Sequence, residues 1–200
     1  MGIAIEAARA GDLALAQRAA QGDRAAQREV FLAQKKAVHH TLYRILGSNR
    51  DLEDLVQDAF FEIFRALPSF RGDSTLTRWC QTIATRIAYL AISRKKPPAV
   101  DLASIEDSLS DGTDTRRETH IREAARRLYA ALDRLDPKLR IAYALATIDG
   151  LSMAEVAALT ESSIVAVKTR VWRARKDLMK RAAKDEVLGS YIVKLDGGES

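Results

Sequence analysis

Cysteine occurs once in these 200 residues, at Cys80, so no disulfide can form within the chain. A lone thiol suits a reducing compartment such as the cytoplasm and excludes a cysteine-stapled secreted scaffold. Cys80 follows Trp79 on an apolar stripe with Ile83 and Ile87, which reads as a small core residue and not a nucleophile. Histidine is nearly as scarce, with three copies. His39 and His40 are neighbours that leave a helix in different directions, and His120 is remote in sequence. A metal centre needs clustered ligands, so none is expected. Aromatic residues make up only 6% of the chain, which leaves the cores to Leu, Ala, Ile and Val. The prolines number four, Pro68, Pro97, Pro98 and Pro137, and each falls at a break between helical stretches. No apolar run approaches the roughly 20 residues of a membrane span. The N-terminus, interrupted by Glu6 and Arg9, lacks the apolar block of a signal peptide. There is no glycine-rich phosphate loop and no Ser/His/Asp set, so an enzyme is the weakest reading, and no cofactor or small-molecule substrate is implied.

What is present is helical. Ala, Leu, Arg and Glu dominate, and no alternating β pattern is sustained. The net charge of +5 is unevenly spread: residues 1–96 carry +5, residues 97–115 carry −5 with no Lys or Arg at all, and residues 116–200 carry +5. Two basic lobes flanking an acidic strip suit a polyanionic partner such as nucleic acid. The expected fold is all-α: two small helical domains, 1–96 and 118–184, joined by a flexible acidic linker over 97–117 and followed by a tail over 185–200. The linker holds Asp101, Glu106, Asp107, Asp111 and Asp114 among Ser and Gly, too little apolar surface to order itself.

In the first domain the pattern predicts a short helix from Asp12 to about Ala20, then one from Ala26 to Leu46 with Val30, Phe31, Val38, Leu42, Ile45 and Leu46 as its stripe, closed by Gly47. The next helix is strongly amphipathic. Leu52, Leu55, Val56, Ala59, Phe60, Ile63, Phe64 and Leu67 recur at three-and-four spacing, with Ser48 or Asn49 as cap and Asp51, Glu53 and Asp54 in the first turn. Its other face carries Asp54, Gln57, Asp58, Glu62 and Arg65. The loop SFRGDST then leads to a helix from Leu76 that ends in the basic tip Arg94–Lys95–Lys96. An acidic-faced helix beside a basic, aromatic one predicts two partners, a protein and a polyanion.

In the second domain, Ile121, Ala124, Ala125, Leu128, Ala131, Leu132 and Leu135 line one face of a helix from about Glu118. Asp136–Pro137 restarts the chain into a helix ending at Gly150. Ser152 and Glu155 then have the spacing of a capping box, ahead of Met153, Val156, Ala157 and Leu159. After a polar TESS turn, Val167, Val171, Ala174 and Leu178 define the buried face of a longer helix crowded with Lys168, Arg170, Arg173, Arg175, Lys176, Lys180 and Arg181. Short helix, turn and basic helix make a helix-turn-helix whose second helix enters the major groove.

DLEDLVQDAFFEIFRALPSFRGDSTLTRW resembles the second conserved domain of bacterial sigma factors of the extracytoplasmic-function (ECF) class, and the block from Asp149 to Arg175 resembles their fourth domain independently. Together the two cover roughly residues 10 to 182. The resemblance implies a dissociable specificity subunit that directs core RNA polymerase to promoter DNA, and an anti-sigma partner, often membrane-bound. It assigns polymerase docking to Asp54, Gln57, Asp58 and Glu62. It assigns melted −10 DNA to Phe70, Arg71, Gly72, Asp73, Ser74, Arg78, Trp79 and Arg86, and the −35 element to Lys168, Thr169, Arg170, Trp172 and Arg173. It also implies that the linker threads towards the polymerase active-site cleft. The chain departs from the family pattern at four positions. Arg86 and Leu90 stand where Asn and then Asn or Asp are usual, so unusual −10 preference is expected; Glu161 and Val165 stand where Gly is frequent. The alternative reading is a helix-turn-helix regulator with a helical N-terminal sensing or dimerisation domain.

Overall fold

The computed structural model describes residues 2–47, 51–94 and 115–196, and these are helical with no strand among them. In the N-terminal part, α1 spans Gly2–Ala20, α2 Arg24–Leu46, α3 Leu52–Ala66 and α4 Leu76–Arg94, with a 3-10 turn at Leu67–Ser69. In the C-terminal part, α5 spans Thr115–Leu132, α6 Pro137–Tyr143, α7 Met153–Leu159, α8 Ile164–Ala182 and α9 Glu186–Asp196. The expected all-α fold is found.

Local chemistry accounts for the boundaries. Asp23 starts α2 by accepting from the backbone N–H groups of Ala25 and Ala26 at 2.9 and 3.1 Å. Gly47 ends it at φ +74°, a left-handed value that a residue with a Cβ rarely adopts. The capping box of α7 is complete, with Ser152 and Glu155 satisfying each other's backbone N–H groups. Ser163 caps α8 by accepting from Ala166 N. The first helix begins ten residues earlier than the pattern predicts, because the small residues of the N-terminus extend the same helix. The caps Ser48 and Asn49 lie outside the described residues; Asp51 occupies the cap position of α3, with no side-chain cap bond. The acidic linker also lies outside the described residues up to 114, and its end begins α5. Residues expected as a tail form α9, whose Leu188 and Ile192 complete a core with Leu128, Leu132, Ala174 and Leu178. Ile121, expected on the buried face of α5, is 51% exposed, since that helix packs through Ala124, Leu128 and Ala131.

The two helical parts share a core. Ile141, Ala142, Ala144 and Leu145, together with Val156, Leu159 and Val167, join the cluster built on α2, α3 and α4. Residues 141–145 are buried without interruption, which is the signature of a helix apolar all round and packed on every side. Just beyond Tyr143 the helix widens into a π turn over Ala144–Ile148. Arg140, 3% exposed, sits at this junction. Its Nε donates to the Ile45 carbonyl at 2.9 Å and its Nη2 to the Leu46 carbonyl at 3.1 Å, so one guanidinium caps the C-terminus of α2 from the other domain. Asp133 accepts from the remaining arm of that guanidinium.

Candidate nucleic-acid interface

The loop at Phe70–Ser74 is pinned from below. Asp12 in α1 accepts from the Leu76 N–H at 2.7 Å, capping α4 across 64 residues of sequence. Gly72 takes φ +78° with Leu13 beneath it. Phe70 is 6% exposed and packs against Trp79 with ring centroids 5.4 Å apart. Phe70 therefore holds the loop in shape while Trp79, half-buried, forms its outer wall; Arg71 and Asp73 are exposed. Cys80 lies buried next to them, and burial pushes its thiol up to about 12, so it is unreactive at neutral pH.

Further along α4 the basic side chains are engaged by the C-terminal domain. Arg78 reaches the backbone carbonyl and the carboxylate of Glu155 at 3.4 Å. Arg86 Nε donates to Glu161 Oε2 at 3.0 Å, and a second arm of the same guanidinium reaches the same oxygen. Glu161 is the one non-glycine residue with positive φ, +48°, among those described. Thus two of the positions that depart from the family pattern are partners of each other. A cleft of about 280 Å³ runs beside this pair, lined by Tyr89, Lys138, Ile141 and Arg170 among others.

The acidic face of α3 is free of such engagement. Asp54, Gln57 and Asp58 are exposed and Glu62 is half-buried beside Arg65 at 3.4 Å. Phe61 stands 68% exposed between them. Leu55, Phe61, Ile87 and Leu90 line a groove between α3 and α4, rimmed by Asp58 and Glu62 on one side and Arg86 and Arg94 on the other. An apolar floor between opposite charges suits a protein surface.

On α8 the predicted buried face is found: Val167, Val171, Ala174 and Leu178 are all in the core. Lys168, Thr169, Trp172 and Arg173 face outward, and Trp172 is 60% exposed with the Lys176 ammonium 5.2 Å from its ring centre. Arg170 differs. It is half-buried and donates to Ser162 Oγ at 3.1 Å, which ties it back to the turn.

The residues that join the domains escaped the sequence reading. Arg140, Tyr129 and Asp149 look like ordinary surface residues in a helical pattern, and Glu155 reads only as half of a capping box. Tyr129 donates its hydroxyl to the Arg44 carbonyl at 3.0 Å. His40 Nε2 lies 2.7 Å from Asp149 Oδ1, with Arg44 3.3 Å from the same oxygen. Only the cation Arg140, wedged between Leu139 and Ile141, carries a legible hint, and it names no partner. No group of three or more potential metal ligands occurs among the described residues, and no helix there is long and apolar enough to cross a membrane.

The chain is similar to known proteins along most of its length. Residues 30–97 match the family model described as Sigma-70 region 2, and residues 125–178 match Sigma-70, region 4. The ECF RNA polymerase sigma-E factor of Escherichia coli K12 is 32% identical over 174 residues, covering 82% of this chain and 91% of the relative. The protein of the same name from Haemophilus influenzae is 30% identical over the same length, covering 82% and 92%. Among solved structures, CnrH in complex with the cytosolic domain of CnrY superposes with a TM-score of 0.58 at 23% identity, covering 87% of this chain and 98% of that one. The sigma factor RpoE in complex with the anti-sigma factor NepR from Bartonella quintana gives 0.51 at 20%, covering 86% and 98%. These two likenesses speak to the fold.

Proposed function

The chain belongs to the sigma-70 family, in its ECF class, and we propose from that premise how its surfaces divide the work of promoter-specific initiation. Core RNA polymerase docks on the exposed face of α3, through Asp54, Gln57, Asp58 and Glu62. The loop Phe70–Ser74 and the outer side of α4, with Arg78, Trp79 and Arg86, hold melted −10 DNA. Stacking of unpaired bases on aromatic and Arg side chains contributes about 1–3 kcal/mol per base, so a strand is held open without ATP and the chain itself catalyses nothing. The outward face of α8 binds the −35 duplex through Lys168, Thr169, Trp172 and Arg173, while Arg170 shapes the turn. The observation that carries this reading is the separation, on one chain, of a free acidic helix face and a free basic one.

The same geometry implies an order of events. In the closed arrangement the −35 face of α8 is already open, but Arg78 and Arg86 are engaged by Glu155 and Glu161. These two arginines are therefore released to DNA only when the C-terminal domain moves off α4. An anti-sigma protein of the kind bound by the structural relative from Bartonella quintana would act by covering α3 and keeping the domains together. If that partner is anchored in a membrane, the inactive chain is held there from the cytoplasmic side.

The test is the pair Asp58→Arg and Gln57→Ala. Both positions lie off the buried stripe, and surface changes of this kind move stability by no more than about 0.5 kcal/mol. The expected result is an unchanged helical signal and thermal midpoint with sharply weakened binding to core polymerase, because a reversed charge at a complementary interface costs several kcal/mol. Wild-type binding by this variant would show that α3 is not the docking face. An ordinary helix-turn-helix regulator would have no polymerase binding to lose.

A further inference from the structure

The entering end of α8 presents an unexpected chemistry. Recognition helices read bases with their N-terminal residues, and a polar groove floor calls for donors and acceptors there. Here two of the polar groups near the start of the helix are already engaged within the chain. The Thr169 hydroxyl donates to the Val165 carbonyl at 2.9 Å, and Arg170 is tied to Ser162. The side chain left facing outward at the tip is Val165, 73% exposed, with Ile164 beside it at 45%. Val165 belongs to neither core cluster; Val167 and Val171 supply the buried face. At helical spacing Val165 shares one exposed face with Lys168, Thr169 and Trp172.

The base edges in the major groove carry donors, acceptors and one apolar group, the C5-methyl of thymine. An aliphatic side chain at the tip of a reading helix therefore has one complementary feature to meet. We propose that Val165 is a specificity-determining residue that packs on a thymine methyl in the duplex bound by α8. The position it reads adjoins the one met by Lys168 on the next turn. This inference rests on the reading of α8 as the −35 helix.

The experiment uses full-length chain bound to core RNA polymerase. Duplexes with randomised −35 sequence are first selected for binding, and each thymine of the selected element is then replaced by deoxyuridine, which removes only the methyl. At one position the replacement should weaken wild-type binding about fourfold, the contribution of one buried methyl. Val165→Ala, exposed and at a position where Ala is the better helix former, should bind the thymine duplex about fourfold more weakly and show no further loss with deoxyuridine. Wild-type indifference to deoxyuridine at every thymine, or an undiminished deoxyuridine penalty in Val165→Ala, overturns the proposal. So does a selected element without thymine. In those cases an element whose binding is still lost in Arg173→Ala leaves the −35 reading standing, whereas failure to select any −35 sequence brings down both.

Discussion

Replacing Arg140 by alanine removes one side chain from the C-terminal domain, and the α2 terminus that it caps belongs to the other. Two hydrogen bonds disappear, to the Ile45 and Leu46 carbonyls at 2.9 and 3.1 Å, together with the pairing to Asp133. A hydrogen bond from a charged donor contributes about 1.5–3 kcal/mol, so the two bonds that cross between the domains carry about 3–6 kcal/mol. The acceptors belong to α2 and the donor to the other domain, so the cost falls on the closed arrangement and not on either domain alone. A penalty of about 3–6 kcal/mol moves the closing equilibrium by about two to four orders of magnitude. Fluorophores on cysteines introduced at Leu32 and Val193, which are 62% and 60% exposed, report the distance between α2 and α9. The native Cys80 does not interfere, because it is buried and its thiol is pushed up to about 12. Energy transfer should fall in Arg140→Ala with helicity retained, and Arg140→Lys should recover it only in part, since one ammonium cannot fork between two carbonyls. Unchanged transfer with intact helicity would refute the argument that this guanidinium holds the domains together.

Two further outcomes follow from single contacts. Gly47→Ala meets both a left-handed φ and the ring of Tyr129, whose atoms lie 2.8 Å from where a Cβ would stand; it should destabilise the chain by about 1–3 kcal/mol, and combining it with Tyr129→Ala should cost less than the sum of the two in a thermal-melt double-mutant cycle. Asp185 caps α9 by accepting from Leu188 N at 3.1 Å and pairs with Arg127 at 2.9 Å. The backbone bond first, and Arg127 after it, hold its carboxyl below the ordinary aspartate value of 3.8. A depressed acid stabilises fully above its unfolded value and loses that contribution as pH falls through its folded value. The thermal-midpoint gap between wild type and Asp185→Asn should therefore be constant near neutrality and close below about pH 4.

Helices and their buried faces were legible because three-and-four spacing and caps are written locally: the stripe of α3, the capping box of α7 and the core face of α8 all stand where the pattern places them. The outward basic face of α8 was legible for the same reason. What escaped was set by contacts distant in sequence. Arg140 finds its carbonyls across 95 residues and Asp12 caps α4 across 64, and no local pattern encodes either. Phe70 reads as an exposed aromatic in a polar loop, yet Trp79 nine residues on draws it into the core. Arg86 and Glu161 each look like an isolated oddity until the fold brings them together. The residues of α9 were read as tail because the partners of Leu188 and Ile192 lie in other helices, α5 and α8 chief among them.

The most direct measurement of the central claim is multi-round run-off transcription with purified core polymerase on a genomic promoter library, with and without this chain. The account predicts discrete transcripts that depend on the chain, whose upstream sequences share one −35 and one −10 element, and that disappear with the Asp58→Arg, Gln57→Ala variant. Identical transcripts in its presence and absence, or the same transcripts from the double variant at wild-type levels, would contradict it.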